Sequence, residues 1–364
     1  MNALNASQAI LPALERTRDF LFDRFHWLTF LKLTLVAVLT EGVAVRLRYS
    51  FGSASSAAAA APPAATASSF SASAFLSHWL WLIGLIILLG LPLAVYLLYL
   101  LTRLRFAFFH CLTHKTHQIR PAWALYGEQS MRLFELMLAV WAVLAVVAGV
   151  TLYPIVMRYL SITSFSGPAG PMDYTAIFAF VVSAYFTIFM LYCVIWLVDT
   201  LIHDFLLPHM ALENLGPVRA WEHVQALLME EPRAFATYLA ERFALPIVGF
   251  MAISIAAAII SAIVSGIMSP FVASMEASVR SGSATGALVA ALVLLPLAVL
   301  AVAFAICVSL CLGGPLSIWI RNFALLFYGG RYQLLGDLLT PAPAAAPRVP
   351  PPSDMLDPFH PRKN

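Results

Sequence analysis

Long apolar runs alternate along this chain with short polar segments, and the runs have the length of a membrane crossing. A helix rises about 1.5 Å per residue, so about 20 apolar residues cross a hydrocarbon layer about 30 Å thick. Residues 79–101, 174–198, 243–268 and 287–312 contain no Asp, Glu, Lys or Arg. Residues 133–153 contain one such residue, Glu135, and residues 27–45 contain Lys32 and Glu41. Lipid offers no hydrogen bonds to a peptide backbone, so spans of this composition are helices. The pattern predicts an all-α polytopic transmembrane bundle of about six spans, in one integral membrane domain over 1–340.

The segments between the spans have a pattern of their own, which predicts amphipathic helices on the membrane surface at about 8–25, 119–132, 217–231 and 315–328. The third is the clearest. Gly216-Pro217 sets its start, with proline in the first turn. At helical spacing Val218, Trp221, Val224 and Leu228 turn toward lipid, and Arg219, Glu222, Gln225 and Glu231 toward water. Arg120, Trp123, Arg219 and Trp221 are the expected interfacial anchors. In the first surface helix Leu11, Leu14, Leu21 and Phe25 share a face. An Arg-x-Phe element precedes a span at Arg132–Phe134 and again 101 residues later at Arg233–Phe235, with a looser copy at Arg18–Phe20. The chain therefore reads as a possible three-fold pseudo-repeat of surface helix plus hairpin. Residues 315–328 are apolar but carry Arg321 and Asn322, which predicts an interfacial or partly inserted helix rather than a seventh span. The small-residue segment 51–75 and the proline-rich tail 341–364 are expected to be disordered.

Composition agrees with the pattern. The chain of 364 residues is 61% hydrophobic and 11% charged, where soluble domains carry about 25%. A net charge of +3 gives no reason to expect nucleic acid. The distribution of positive charge says more. With the N-terminus in the cytosol, 17 of the 21 Lys and Arg residues fall on the cytosolic side and only Arg46, Arg48, Arg158 and Arg280 outside. That bias predicts cytosolic N- and C-termini. Cys111, Cys193, Cys307 and Cys311 give no CxxC pair and no legible disulfide framework.

The stretch "LLPHMALENLGPVRAWEHVQALLMEEPRAFATYLA" places Pro208, Glu213, Gly216 and Ala220 at P-x-x-x-x-E-x-x-G-x-x-x-A spacing ahead of a surface helix and a span. In this it resembles the repeated cassette of bacterial polytopic proteins similar to the membrane domain of glycerophosphoryl diester phosphodiesterase. "LERTRDFLFDRFHWLTFLKL" resembles the opening of such proteins. The resemblance implies a six-span helical module of a bacterial inner membrane without catalysis, because the phosphodiesterase chemistry of that family belongs to a separate soluble domain.

Ionisable residues in or beside spans are the candidate sites. Asp199 and His203 lie one helical turn apart, with Asp204 next to them, and offer a metal or proton site, or else a helix end wetted by headgroups with Asp and His capping or pairing with nearby Arg. His110, His114 and His117 lie at i, i+4 and i+3 spacing, which is compatible with metal ligation on a helix. Lys115 and Arg120 oppose a cation there, so a headgroup-facing cytosolic hinge is the expectation and no cofactor is expected. Glu41 is expected to snorkel outward or else to mark a polar cavity, with snorkelling favoured, and Glu135 to pair with Arg132. Ser254, Ala258, Ala262 and Gly266 recur every four residues, a small-residue stripe that lets another backbone approach closely. Pro92 and Pro296 lie inside spans, where broken helices line the sites of some transporters. No phosphate-binding glycine loop, HExxH or GxSxG is present.

Three function classes remain. The first is a non-enzymatic scaffold or accessory subunit that binds membrane lipids and other membrane proteins or a second copy of itself. The second is a transporter for a small or amphipathic solute, and the third a metal-dependent membrane enzyme. The topology has a direct check. A membrane-impermeant thiol reagent applied to intact cells should label Ala60→Cys and leave Pro352→Cys at the background of the native cysteines. The opposite pattern contradicts the orientation.

Overall fold

The computed structural model describes residues 4–23, 25–41, 72–165, 174–280 and 284–340. They form helices and turns, with no strand among the described residues. In chain order the helices are α1 (Ala6–Phe22), α2 (Trp27–Glu41), α3 (Ala72–Thr113), α4 (Ile119–Leu125), α5 (Gly127–Phe165), α6 (Tyr174–Thr200), α7 (Leu207–Glu213), α8 (Pro217–Glu230), α9 (Pro232–Arg280), α10 (Ala284–Gly329) and α11 (Gln333–Leu339). A π-helical segment, Leu201–Leu206, joins α6 to α7 without a break.

Among the described residues, five helical stretches are long and apolar enough to cross a membrane: Leu88–Thr113, Gly127–Leu160, Phe178–Glu213, Pro232–Ile260 and Val302–Gly329. They correspond to the second to sixth expected spans. The first, expected at 27–45, is represented by α2, whose 15 residues reach about 23 Å, short of a full crossing. Residues 42–45 lie outside the described residues, as do the tail 341–364 and most of segment 51–75. Helices α3 and α10 run unbroken through Pro92 and Pro296.

The core lies at one end of the bundle, where the last part of α3, the first parts of α5 and α9, the π-segment and the last part of α10 meet. At its centre Phe205, Phe235, Tyr238, Phe323, Phe327 and Tyr328 are buried ring against ring, with Tyr238 stacked on Phe327 at 4.4 Å between centroids. The phenylalanines of all three Arg-x-Phe elements, Phe20, Phe134 and Phe235, are buried. Toward the other end the helices leave large apolar side chains uncovered by the chain, among them Val150, Phe178, Tyr185, Ile255 and Val299. Between lipid-facing helices no hydrophobic force drives such residues together.

Several expected surface elements are part of this core. Residues 315–328 are not an interfacial helix. They continue α10, and Ile318 and Phe323–Tyr328 are buried. Arg321 and Asn322, which looked like an interface signature, are instead buried and each makes one side-chain hydrogen bond inside the protein, to Asp204 and to Thr17. Helix α1 also packs inward, mainly on its small-residue face, and of the expected leucine face only Leu21 is buried. Ala6, Ala9, Ala13, Thr17, Phe20 and Leu21 are buried, while Leu11 and Leu14 are exposed. The small residues allow close approach to α10, where Trp319 Nε1 donates to the Ile10 carbonyl at 3.1 Å and Asn322 Nδ2 to Thr17 Oγ1 at 2.9 Å. Arg16 donates to the carbonyls of Leu112 (2.9 Å) and Leu339 (3.2 Å), satisfying the free C-terminal ends of α3 and α11. Helix α8 starts at Gly216-Pro217 as expected, but Val224 and Ala220 seat it on the core and only Val218 and Trp221 of the expected apolar face stay exposed.

The small-residue stripe packs on no helix among the described residues. Ser254 is half-buried, Ala258, Ala262 and Gly266 are exposed, and a methyl group added at Gly266 would meet nothing within 4 Å. The close contact lies at Gly314, where an added Cβ would fall on the side chain and backbone of Thr34 in α2. Gly314→Val should therefore cost about 1–3 kcal/mol through overpacking, while Gly266→Ala should stay within about 0.5 kcal/mol of the parent. Thermal unfolding of the purified protein in detergent checks both. Equal stability of the two variants contradicts this packing of α2 on α10.

Candidate functional site

The π-segment is where the site begins. An i to i−5 bond from the Leu207 N–H to the Ile202 carbonyl widens the helix and inserts an extra residue into the turn. His203 and Asp204 are both buried there, although α6 just before them is largely exposed. Asp204 is the acceptor for three donors on two other helices. Its Oδ2 receives the Tyr238 hydroxyl at 2.8 Å and Arg242 Nε at 3.0 Å, both from α9. Its Oδ1 receives Arg321 Nη1 from α10 at 2.6 Å. Arg242 Nη2 continues to Glu41 Oε2, at the end of α2, at 2.9 Å. Glu41 and Asp204 against Arg242 and Arg321 make a neutral set of four charges drawn from four helical segments.

The set leaves several polar atoms without partners. Glu41 and His203 have side chains only 4% and 3% exposed, and Nδ1 of His203 stands 3.7 Å from Glu41 Oε1, beyond hydrogen-bond reach. Glu41 Oε1, His203 Nε2, and Nε and Nη2 of Arg321 are buried without a hydrogen bond. Beside the set, Arg105 of α3 donates to Asp199 Oδ1 at 3.1 Å. Glu41, Asp199, His203 and Arg242 line one side of a cleft of about 330 Å³, whose apolar lining includes Trp196, Pro246, Ile247, Phe250 and Ile320.

A second polar group lies at α7. His209 Nε2 shares a hydrogen bond with the Tyr328 hydroxyl at 2.6 Å, its Nδ1 lies 3.3 Å from Glu213 Oε1, and the Tyr332 hydroxyl donates to the same oxygen at 2.6 Å. Burial first, and then the hydrogen bond to Glu213 and its charge, push the Tyr332 phenol above its ordinary range. The resemblance element has a structural role here. Pro208 and Ala220 are buried, Glu213 bonds Tyr332, and Gly216 is the extended residue ahead of α8.

The sequence-derived candidates divide. Asp199, His203 and Asp204 lie together, and Asp199 and Asp204 are paired to arginines, as the polar-helix-end alternative has it, with the Asp204 side chain fully buried rather than wetted. Glu41 does not snorkel outward; it is buried against Arg242. Glu135 is exposed, and Arg132 pairs with Glu128 at 2.6 Å instead. His110 and His114 stay adjacent, with rings 4.3 Å apart, and His110 Nδ1 lies 3.2 Å from the Tyr126 hydroxyl. Helix α3 ends at Thr113, so the expected helical register of His114 and His117 is lost, and His117 packs on Phe20 at 5.2 Å. Among the described residues no three His, Cys, Asp or Glu side chains are grouped as metal ligands. Of the expected anchors, Arg120, Arg219 and Trp221 are exposed, and Trp123 is covered by the Arg103 guanidinium 4.8 Å from its ring centre. Arg242, Tyr238 and the inward role of Arg321 were missed. The signal of the two arginines was present as charges inside or beside apolar runs, while Tyr238 gave none.

The fold and this buried junction define an all-α, multi-pass integral membrane protein. Residues 4–338 match the model of a family of unknown function, DUF7544, and the chain belongs to that family. No curated protein and no solved structure matches it.

Proposed function

We propose that the protein is a non-catalytic membrane scaffold or accessory subunit, which binds lipid and the helices of other membrane proteins through the uncovered parts of its spans. One observation carries this reading. In the most apolar stretch of each of the five spans, between 0% and 33% of the residues are buried within the chain, although the same helices are tightly packed at one end. A bundle so built holds its helices in fixed positions from one side and leaves their apolar faces for other occupants. The strong bias of Lys and Arg supports placing the packed end and both termini in the cytosol of a bacterial cell. The resemblance to membrane domains that accompany a separate catalytic domain supports the non-catalytic role.

A transport role is the second reading, and it is favoured by the cleft beside the ionic junction, since ionisable groups in spans mark solute pathways in many transporters. The first reading is tested in native membranes with a photoreactive amino acid at Val150, Tyr185 or Ile255, all exposed, and at buried Phe323 as control. Discrete adducts with membrane-spanning peptides are expected from the exposed positions and none from Phe323. Lipid adducts alone at all three exposed positions contradict the proposal.

A further inference from the structure

We propose that the cleft beside the ionic junction is a binding site for an uncharged amphiphile with a hydroxyl head, the head meeting Asp199 and Thr200 and the hydrocarbon part lying along Trp196, Ile247 and Phe250. The inference does not depend on partner binding by the spans. It starts from the charge of the lining. Three carboxylates and three guanidiniums lie on or beside the cleft, and they pair among themselves. Asp199 pairs with Arg105, Glu41 with Arg242, and Asp204 with Arg242 and Arg321. No charge is left over. A cationic or anionic head would give up its own water and find nothing to balance it. A neutral head carries no such cost.

Two polar groups on the cleft are not used up by that pairing. Asp199 gives Oδ1 to Arg105, its side chain is 40% exposed, and its Oδ2 accepts no hydrogen bond among the described residues. Thr200 also lines the cleft, although it is only 4% exposed. Threonines in helices elsewhere bond back to their own helix, as Thr40 does to the Val36 carbonyl, Thr102 to Leu98 and Thr187 to Ser183. The Thr200 hydroxyl makes no such bond among the described residues, and a buried hydroxyl without a partner is disfavoured. An alcohol combines a donor and an acceptor in one atom. It can donate to Asp199 Oδ2 while it accepts from Thr200. An ether only accepts, and a carboxylate would meet Asp199 with like charge. The walls suit the rest of the molecule. Trp196 of α6 and Phe243 of α9 meet edge to face at 5.2 Å, which joins the two helices beside the cleft. Ile247 is 49% exposed and lies in the span Pro232–Ile260, so the mouth is on the apolar flank of the bundle, open to a hydrocarbon chain from the lipid. The same head chemistry is found on a monoacylglycerol and on a free long-chain alcohol.

The test uses the full-length protein in phosphatidylcholine nanodiscs, photolabelled by a long-chain alcohol that carries a diazirine in its chain. Adducts are mapped by peptide mass spectrometry and are expected at Trp196 and within 246–250. The competitors are dodecanol, monododecanoylglycerol, dodecyl methyl ether, dodecylammonium and dodecanoate. At least one hydroxyl-headed competitor should displace the label at about fivefold lower concentration than the ether and either ion. Monododecanoylglycerol alone showing that advantage supports a lipid source, and dodecanol alone supports a free alcohol. Thr200→Val should reduce the advantage over the ether by about fivefold, and Ile247→Trp, at an exposed position on the mouth, should remove the label from the cleft. Equal displacement by the ether or by either ion overturns the proposal, as does label that avoids the cleft or persists there in Ile247→Trp.

Discussion

Asp204 is buried where three helical segments meet, and the rest of the core is arranged around keeping it paired. Three hydrogen bonds from Tyr238, Arg242 and Arg321 converge on its two oxygens, and Arg242 extends the set to Glu41, 201 positions away in the chain. A carboxylate this far from water is strongly disfavoured unless opposite charge and hydrogen bonds surround it. Two arginines in turn exceed one carboxylate, so Glu41 must be present as well. That requirement ties α2, which is too short to span by its described length, to α9 and α10.

The π-segment belongs to the same constraint. A continuous α-helix from Tyr174 to Glu213 would keep a single register throughout, and α6 is largely exposed. The wider turn at Leu201–Leu206 lies where the helix enters the core: Ile202 to Met210 are buried without a break, on every face, as α7 continues into the aromatic cluster. The same segment places His203 on the cleft and Asp204 in the junction. The candidate binding site and the structural centre are therefore adjacent products of one local feature.

Apolar run length was enough to read five of the spans, because length and hydropathy are properties of single helices. The surface helices were read less well. Leu11 and Leu14 form the more apolar face of α1, yet the alanine face with Thr17 is the one that packs, since close approach to α10 favours small residues over large ones. Periodicity identifies a face, but the partner decides which face is used. Residues 315–328 were misread for a related reason. Arg321 and Asn322 resemble an interface until Asp204 and Thr17 are known to be opposite them, and those partners lie 117 and 305 positions away. The charges of the junction were all visible, each inside or beside an apolar run. Their pairing was not, because no local pattern brings Glu41 to Arg242. The stripe ending at Gly266 is the converse case, a pattern with no partner among the described residues.

The central claim is that Asp204 and Arg321 are an obligatory buried pair, and a double-mutant cycle measures it most directly. Stabilities of the parent, Asp204→Asn, Arg321→Gln and the double variant would be compared by unfolding in detergent. Each single change should cost about 3–5 kcal/mol because it strands a buried charge. The double variant should cost less than the sum of the two by about 1–3 kcal/mol. Strictly additive losses, or single losses below about 1 kcal/mol of the size seen for exposed ion pairs, would contradict the account.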